Sequence, residues 1–364
     1  MPSQNAAIID LSALKHNLGV AKKAAPNAKV MAVIKADAYG HGMVPLANVL
    51  TGVDAFAVAR VDEAVELRQA NIKTPIVVLA GYADAVELSI CSELDLDVII
   101  HCEYQIDLLK RVSVDSPLTV WVKLNTGMNR LGFDPAEVSD VFNRLSLNKS
   151  IRQPIKTLTH LACADDTNSN ATEQQITLFD KLVSGLTGEQ SIANSAGLLA
   201  WSYAQRHWVR PGIMLYGASP FFDKQASDDG LKPVMTLTSK VLAIRTVKKG
   251  ERVGYGGSWQ APKTSLIAAI GIGYGDGYPR HATVGTPVLI NGQTVSLVGR
   301  VSMDSITVDI SGHQHIRVGD EVILWGGGLP IENVAQACGT ISYDLMCGVT
   351  ERVPRHYMDV NNGG

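Results

Sequence analysis

The chain has 364 residues, of which 46% are hydrophobic and 18% are charged, and its formal net charge is -3. This length allows two domains or one large barrel with an added domain, and this composition is that of a globular protein with a substantial core. No run of Lys and Arg exceeds two residues, which argues against a nucleic-acid-binding surface and against a patch for anionic membranes.

The N-terminal segment and the cysteines indicate the compartment. MPSQNAAIID has neither the cationic nor the apolar part of a secretory signal, and no apolar stretch approaches the roughly 18 residues of a membrane helix. The five cysteines are scattered and form no CxxC pair, which favours a reducing compartment over a disulfide framework or a zinc site. We therefore expect a cytoplasmic protein without a membrane span and without a bound metal.

The chain begins with a short strand, Ala6 to Ile9, and Asp10 can then cap a helix that carries Leu11, Leu14 and Leu18 on one face. Apolar segments typical of strands then alternate with amphipathic segments. The eight strand-like segments are VMAVIKA from residue 30, AFAVAR from 55, PIVVLAG from 75, LDVII from 96, LTVWVKLN from 118, IKTLTHLA from 155, QSIAN from 190 and WVRPGIMLYG from 208.

Eight apolar strands that alternate with helices are typical of a parallel (β/α)8 barrel of the TIM type. The intervening helices include VDEAVELRQA from residue 61 and TEQQITLFDKLVSGL from 172. An open doubly wound sheet is the alternative, because periodicity does not show whether a sheet closes. The barrel is favoured because the strand count is eight and no dinucleotide-binding glycine motif follows the first strand.

The composition changes near residue 220. SPFFDKQASDDGLKP is rich in turn formers and charges, as a linker is. The segments beyond it alternate in hydrophobicity and are separated by Lys-Gly, Asp-Gly and Asn-Gly turns; they are VMTLTSKVLAIRTV, TSLIAAIGIGYG, TPVLINGQTVSLVG and SITVDI. This pattern predicts a mainly antiparallel β domain. The sequence thus divides into an α/β barrel over residues 1–228 and a C-terminal β domain over residues 229–364.

The segment VIKADAYGHG from residue 33 raises the question of function, because a buried apolar run ends there on a primary amine, Lys35. Reactive groups of such barrels lie at the C-terminal ends of the strands, where an amine with a lowered pKa can attack a carbonyl. On position alone, a lysine that extends its ammonium group into solvent is the simpler interpretation.

The wider segment AVIKADAYGHG resembles the pyridoxal-phosphate lysine motif of alanine racemases. Further segments similar to this family follow in the same order and cover nearly the whole chain: KLNTGMNRLGF at 123, LTHLACAD at 158, ANSAG at 193, VRPGIMLYG at 209, VGYGGSW at 253, IGIGYGDGYPR at 270, GRVSMDSITVD at 299 and ISYDLMCGVTERVPR at 341. The resemblance implies a barrel that binds pyridoxal 5'-phosphate, a β domain that the first strand of the chain joins, and a head-to-tail homodimer with shared active sites. It also implies interconversion of L-alanine and D-alanine, for the peptidoglycan of the cell wall or for alanine catabolism.

By this resemblance, Lys35 forms a Schiff base with the cofactor and Arg210 faces its pyridine nitrogen. The other implied cofactor contacts are Tyr39, His160, Asn194, Ser195, Gly212, Ile213 and Tyr343. Ser195 follows strand seven, and Gly212 and Ile213 are expected on strand eight. Barrels commonly hold phosphate with the loops after these two strands, which agrees with this placement. An arginine cannot take the ring proton, because its ordinary pKa exceeds about 12, so the ring would stay neutral and side reactions would be limited.

Racemisation requires a proton acceptor on each face of the α-carbon. Lys35 matches the base on one face, and Tyr255 matches the opposite base, which the partner chain contributes in this family. Because the ordinary pKa of tyrosine is near 10, its phenolate needs nearby hydrogen-bond donors or positive charge. His160 matches the histidine that hydrogen-bonds this tyrosine.

The substrate-binding residues also follow from the resemblance. Arg130 matches the arginine that binds the substrate carboxylate, a task that suits a bidentate guanidinium. Lys123 matches a lysine that is often carbamylated and then orients this arginine, although Asn125 stands where many members have aspartate. Met303 and Tyr274 match groups of the partner chain that narrow the entrance to the site.

Three other functions match these residues less well. Basic amino-acid decarboxylases have a similar barrel and β domain, but they place a carboxylate and a cysteine-bearing loop where this chain has Arg210 and Tyr255. The small pyridoxal-phosphate-binding barrel proteins lack the C-terminal domain. A broad-specificity or serine-accepting racemase is the closest alternative, and such enzymes are typically exported. His313 and His315 form an HxH pair in a polar turn without a third ligand, so no metal site is predicted.

Overall fold

The computed structural model of the protein describes residues 5–359, which fold into two units. The barrel unit consists of Leu18–Ala38 and Met43–Leu215. The β unit consists, within the described residues, of 5–17, 39–42 and 216–359.

The described chain begins with strand β1 (Ala6–Asp10), which is followed directly by helix α1 (Leu11–Ala24). Asp10 Oδ1 accepts a hydrogen bond from Ala13 N at 2.9 Å. This bond satisfies a backbone donor of the first helical turn and confirms the predicted cap.

Eight parallel strands form a closed barrel in the barrel unit. They are β2 (Lys29–Val33), β3 (Ala55–Val58), β4 (Ile76–Val78), β5 (Asp97–Ile100), β6 (Val120–Lys123), β7 (Lys156–Leu158), β8 (Gln190–Ser191) and β9 (Trp208–Val209). Neighbours pair in chain order, and β2 pairs with both β3 and β9, which closes the barrel. All residues of β3, β4 and β6 are buried, as expected for parallel strands covered on both faces. The predicted barrel is confirmed, and the open doubly wound sheet is excluded.

The strands are shorter than the sequence pattern predicted. In WVRPGIMLYG only the first two residues are in a strand. Pro211 has no N–H to donate to a ladder, and a 3-10 helix (Ile213–Tyr216) follows it. Gly212 and Ile213, which we expected on the eighth strand, therefore lie after it.

Helices connect the strands and cover the barrel. Those that follow α1 are α2 (Lys35–Gly40), α3 (Met43–Val49), α4 (Val61–Gln69), α5 (Ala85–Glu93), α6 (Glu103–Arg111), α7 (Val138–Ser146), α8 (Ala171–Val183), α9 (Ser195–Ala200) and the 3-10 helix Ser202–Ala204. The amphipathic segments predicted from residues 61 and 172 are α4 and α8. The latter buries Thr172, Gln175, Ile176, Phe179 and Val183, whose spacing of three or four residues places them on one helix face.

The β unit is built mainly from antiparallel strands. After β1 they are β10 (Met235–Val247), β11 (Arg252–Val253), β12 (Trp259–Gln260), β13 (Ser265–Ile270), β14 (Pro287–Ile290), β15 (Gln293–Val298), β16 (Ile306–Asp309), β17 (Glu321–Trp325) and β18 (Arg355–Met358). Its helices are α10 (Ile331–Cys338), α11 (Ser342–Gly348) and the 3-10 helices Ala226–Asp229, Tyr255–Gly257 and Tyr274–Asp276.

The main sheet of the β unit has the order β13-β16-β15-β14-β17-β10-β1-β18, and β10 pairs with β13 as well as with β17. Strand β1 is antiparallel to β10 and parallel to β18. The hairpin of β14 and β15 turns at Asn291 and Gly292, whose φ angles of +49° and +74° are those that a tight two-residue hairpin turn requires. Within residues 5–359, no helix combines the length and the apolar character needed to cross a membrane.

Candidate active site

Lys35 is the first residue of a helix with left-handed geometry. Strand β2 ends at Val33, so Lys35 is not a strand residue as the sequence pattern suggested. The φ angles of residues 36–39 lie between +51° and +54°, and that of Gly40 is +76°. Left-handed backbone costs a non-glycine residue roughly 1–2 kcal/mol, so four in a row require support from surrounding groups.

Two carboxylates of the barrel unit support this left-handed turn. Glu63 Oε1 accepts a hydrogen bond from Ala36 N at 2.7 Å. Asp37 Oδ1 accepts one from Met43 N at 2.6 Å. Glu63 was missed in the sequence, although a Glu in the third position of a helix is a typical capping residue.

Arg210 lies in the barrel unit with its guanidinium buried. Nη1 donates to Ser191 Oγ at 2.6 Å, and Nη2 donates to the carbonyl oxygens of Thr159 and Ile192 at 2.7 and 3.2 Å. Nη2 also lies 3.3 Å from His160 Nδ1. Burial lowers the pKa of Arg210 to about 10, so the guanidinium keeps its charge at neutral pH. These neutral partners fix its plane and leave its charge uncompensated.

Lys123, the last residue of β6, lies in a cationic region of the barrel unit. Burial, followed by the charges of Arg210, Arg130 and Lys35, lowers the pKa of Lys123 to about 8. Burial and the same cations, together with Lys123, hold the pKa of His160 well below its ordinary value. An anionic ligand would relieve the repulsion among these groups.

Ser195 joins the loops that follow the seventh and eighth barrel strands. Its Oγ accepts hydrogen bonds from Gly212 N at 2.9 Å and from Met214 N at 3.4 Å. The hydroxyl hydrogen can therefore be donated to a ligand. Asn194 Oδ1 accepts from Gly197 N at 2.9 Å, so this side chain caps α9.

A buried polar network, which no motif in the sequence indicates, links the loop after β6 to the segment after β7. The hydroxyls of Thr126 and Thr159 are 2.7 Å apart. Gln175 Nε2 donates to Thr126 Oγ1 at 3.2 Å and to the carbonyl of His160 at 3.0 Å. Its Oε1 accepts from Ala162 N at 2.8 Å. A satisfied network of this kind fixes the backbone of both segments.

In the β unit, Tyr39 belongs to an aromatic cluster. Its ring centroid lies 4.6 Å from that of Tyr216 in a stacked arrangement and 5.9 Å from that of Tyr343. Burial, then the neighbouring Tyr343 and Cys347, raise the pKa of Tyr39, which keeps its hydroxyl protonated and able to donate.

The residues that follow Tyr39 are held by the C-terminal strand of the β unit. Arg355 Nε donates to the carbonyl of Gly40 at 3.1 Å, and Tyr357 Oη donates to that of His41 at 3.1 Å. A side chain on Gly40 would overlap the carbonyl oxygen of Met346, so both the positive φ and the close approach require glycine.

Tyr255 lies in a glycine-rich turn of the β unit. Gly254, Gly256 and Gly257 have φ angles of +74°, +68° and +55°. Tyr255 is 68% exposed. The turn packs against Arg300, whose Nη1 lies 3.4 Å from the position that a Cβ on Gly256 would take.

Tyr274 and Met303 are neighbours in the β unit, because Gly275 N donates to the carbonyl of Met303 at 2.8 Å. They are 40% and 52% exposed. Asp304 accepts a hydrogen bond from Arg352 Nη2 at 2.8 Å, a partner that the sequence did not reveal.

His313 and His315 have ring centroids 6.2 Å apart. Among residues 5–359, no group of three or more His, Cys, Asp and Glu side chains could hold a metal ion.

Comparisons with known proteins agree with one another. A model of the alanine racemase N-terminal domain matches residues 9–220, and a model of the C-terminal domain matches residues 234–357. An alanine racemase of Vibrio parahaemolyticus is 47% identical over 351 residues, which cover 96% of this chain and 98% of the relative.

Two solved structures are similar over nearly their whole length. The biosynthetic alanine racemase of Pseudomonas aeruginosa has a TM-score of 0.96 and 43% identity, with 98% of this chain and 100% of that chain covered. The alanine racemase of Bartonella henselae, solved with covalently bound pyridoxal phosphate, has a TM-score of 0.88 and 30% identity, with 98% and 100% covered.

The groups of the barrel unit fit a ligand that carries a phosphate, an aldehyde and a basic ring nitrogen. Ser195 offers a hydroxyl donor, and the uncompensated cations around Lys123 attract anionic groups. Lys35 offers a primary amine, and Arg210 offers a donor that does not give up its proton.

Proposed function

The chain belongs to the alanine racemase family, a family of isomerases, and on that premise we propose that it interconverts L-alanine and D-alanine with pyridoxal 5'-phosphate held on Lys35. The observation that supports this proposal is the cationic region of the barrel unit, where burial and then the charges of Arg210, Arg130 and Lys35 lower the pKa of Lys123. A phosphorylated cofactor and a carboxylate substrate would complement these charges.

Lys35 has two tasks in this proposal. When bound, pyridoxal phosphate withdraws electrons from an attached amino acid and so makes its α-proton removable. Lys35 Nζ would hold the cofactor until the amine of the substrate takes its place. The released amine of Lys35 would then accept or return the α-proton on one face.

Arg210 and His160 would define where protons reside. A guanidinium only donates, so Arg210 would leave a facing ring nitrogen without a proton. For the same reason Nδ1 of His160 is an acceptor toward Arg210, and Nε2 carries the hydrogen. That hydrogen would be donated to the tyrosine base of the site.

Tyr255 would be this base on the other face, contributed by the partner chain of a homodimer. Support comes from the exposed side chains of Tyr255, Tyr274 and Met303 in the β unit, since exposed apolar groups often mark protein interfaces. A groove of about 580 Å³ beside Tyr255 is lined by Val253, Ile267 and other residues of the same unit. A two-fold dimer would use this surface twice and so give two equivalent sites.

Arg130 would bind the substrate carboxylate, and Lys123 would orient it after carbamylation. Because the pKa of Lys123 is about 8, part of this amine is neutral near physiological pH, and the neutral amine is the form that reacts with CO₂. A carbamate would replace one positive charge with a negative one. A carbamate ¹³C resonance under ¹³CO₂, absent from a Lys123→Ala variant, would be the sign of this modification.

For the cell, we assign the protein to the cytoplasm and to the supply of D-alanine for peptidoglycan. The similarity to a biosynthetic alanine racemase of Pseudomonas aeruginosa supports this role, and the five free cysteines suit a reducing compartment. Rescue of a D-alanine-requiring bacterium by this gene tests the role. Failure of an active enzyme to rescue growth would favour alanine catabolism instead.

The experiment that tests the activity is racemisation by the purified protein loaded with pyridoxal phosphate. We expect conversion of L-alanine to D-alanine and the reverse, with an equilibrium constant of one, and a much lower kcat/KM for serine. Equal kcat/KM for serine and alanine would instead indicate the serine-accepting racemase, and no conversion of either would contradict the proposal.

A further inference from the structure

We infer that Glu63 is a positioning residue for the reaction, because its carboxylate fixes the left-handed turn from which Lys35 projects. This inference rests on the proposed function of Lys35 as the attachment point of the cofactor. Glu63 itself need not touch cofactor or substrate, since it acts on the backbone beside Lys35.

The carboxylate of Glu63 bridges two segments of the barrel unit. Oε1 accepts from Ala36 N at 2.7 Å, and Ala36 directly follows Lys35. Oε2 accepts from Ala59 N at 2.6 Å and from Arg60 N at 3.2 Å. Each oxygen thus serves a different segment, one after β2 and the other after β3, and these two strands are neighbours in the barrel.

The bond to Ala36 N has a specific consequence for Lys35. The first N–H groups of a helix lack partners within the helix, and α2 adds the cost of left-handed backbone at residues 36–39. A charge-assisted bond from Glu63 satisfies one of these N–H groups in the left-handed conformation. Without it, the segment would gain freedom to leave this conformation, and the backbone of Lys35 would be held less firmly.

Glutamate suits this position because both of its oxygens accept hydrogen bonds. In Glu63→Gln, one oxygen becomes an amide nitrogen that cannot accept, so one of the two segments loses its bond. Glu63→Asp keeps the charge but shortens the side chain by one methylene, so it cannot reach both segments. Both variants should therefore weaken the support of Lys35.

Two neighbouring residues provide matched controls. Asp62 lies beside Glu63 on α4, and its carboxylate pairs with the exposed Arg60, so Asp62→Asn removes the same charge and leaves the bond from Ala36 N to Glu63 in place. Asp84 caps α5 by accepting from Val86 N and Glu87 N, so Asp84→Ala removes a helix cap elsewhere in the barrel unit. Asp62→Asn therefore tests for the effect of a lost charge, and Asp84→Ala for the effect of a lost helix cap. Neither control removes the bonds by which Glu63 joins the two segments.

The experiment measures how fast the apoprotein incorporates pyridoxal phosphate on Lys35, trapped with borohydride and quantified by peptide mapping. The second readout is kcat per mole of bound cofactor, measured together with KM for alanine. If a variant only reduced the fraction of correctly folded protein, kcat per bound cofactor and KM would both stay unchanged. We expect Glu63→Gln and Glu63→Asp to slow incorporation at least about tenfold and to lower kcat per bound cofactor, with KM changed less than about twofold. Asp62→Asn and Asp84→Ala should stay within about twofold of the wild type on both readouts.

The outcomes distinguish this inference from the proposed function. If the wild type does not incorporate the cofactor on Lys35, the proposed function fails and the inference with it. If the wild type incorporates it and the folded Glu63 variants match the wild type, the role of Glu63 is refuted while the proposed function stands. Equal loss in Asp84→Ala would also refute it, since any lost helix cap would then suffice. If Glu63→Gln does not fold, Glu63→Asp decides in the same way.

Discussion

Nη2 of Arg210 lies 3.3 Å from Nδ1 of His160 within the barrel unit. Since a guanidinium has no acceptor, Nδ1 can only accept here, from an Nη2 hydrogen that is shared with a backbone carbonyl, and the neutral imidazole then carries its hydrogen on Nε2. Burial and the surrounding cations hold the pKa of His160 well below its ordinary value, so the ring is neutral at physiological pH. The pair therefore combines a permanent cation with a histidine of one defined tautomer.

Arg210→Glu is expected to change which reaction the cofactor supports. A carboxyl group can share a proton with the ring nitrogen, whereas Arg210 does not release one. Racemisation should fall on the order of 10²-fold or more, the usual effect of removing a preorganised electrostatic contact. Transamination, measured as pyridoxamine phosphate by chromatography, should rise relative to racemisation. In Arg210→Lys the ratio should stay near the wild-type value, and an unchanged ratio in Arg210→Glu would show that Arg210 has another role.

Tyr255→Phe is expected to impair exchange of the α-proton on one face of the α-carbon and not on the other. If Tyr255 serves L-alanine and Lys35 serves D-alanine, the variant should still exchange the α-proton of D-alanine with solvent deuterium. Exchange from L-alanine should collapse. NMR of both enantiomers in deuterium oxide measures these rates, and equal loss or equal retention for both would rule out the division of labour.

Glu189 makes the stability of the barrel unit depend on pH. It accepts hydrogen bonds from Lys29 Nζ at 2.6 Å and Trp208 Nε1 at 2.8 Å, and Lys156 Nζ lies 3.3 Å away. Burial alone would raise the pKa of Glu189. The three partners lower it by more than burial raises it, so the pKa is about 2. The folded value lies below the ordinary value of about 4.3, so Glu189 stabilises the fold above that pH and loses this effect as the pH falls toward 2.

The corresponding test compares the wild type with Glu189→Gln by denaturant unfolding. The wild type should have the larger free energy of unfolding at pH 7, and the difference should shrink between about pH 5 and pH 3. Asp180→Asn, which removes a carboxylate paired with Arg206 at the barrel surface, serves as a control for loss of an ordinary ion pair. A difference that is constant or grows with acid would contradict the shifted pKa of Glu189.

Co-expression of two inactive chains tests the shared site. In a mixed dimer of Lys35→Ala and Tyr255→Phe chains, one site carries both lesions, and the other combines the intact Lys35 of one chain with the intact Tyr255 of its partner. With random pairing about half the dimers are mixed and half their sites are whole, so about a quarter of the wild-type activity per site should return. Purified mixed dimers without activity would show that both bases come from the same chain.

The fold was largely predictable from the sequence, because parallel strands buried on both faces leave continuous apolar runs and hairpin turns leave Asn-Gly pairs. Strand ends were predicted less well. The segment after Val209 is apolar but contains Pro211, so the hydrophobic pattern continued where the hydrogen-bonded ladder did not. Apolar residues indicate burial, and burial continues past the end of a strand, so the hydrophobic pattern alone does not locate that end.

The left-handed turn after Lys35 could not be predicted from its own residues. Ala36, Asp37 and Ala38 have no strong preference for positive φ, and the conformation depends on tertiary bonds such as that from Glu63. The site residues themselves were proposed from a family resemblance. The network around Gln175 joins side chains up to 49 positions apart, and no local pattern in the sequence signals such a contact.

The lysine that holds the cofactor is the sharpest test of the proposed site, because two lysines are candidates for it. Lys35 is the predicted attachment point because of its sequence motif and its left-handed turn. Lys123 is the competitor because its pKa is lowered to about 8, so more of its amine is neutral and able to attack a carbonyl. The holoenzyme should be reduced with borohydride, digested and mapped by mass spectrometry. We predict one pyridoxyl group per chain, on Lys35, together with loss of racemisation. A pyridoxyl group on Lys123, or on any lysine other than Lys35, would contradict the proposed site.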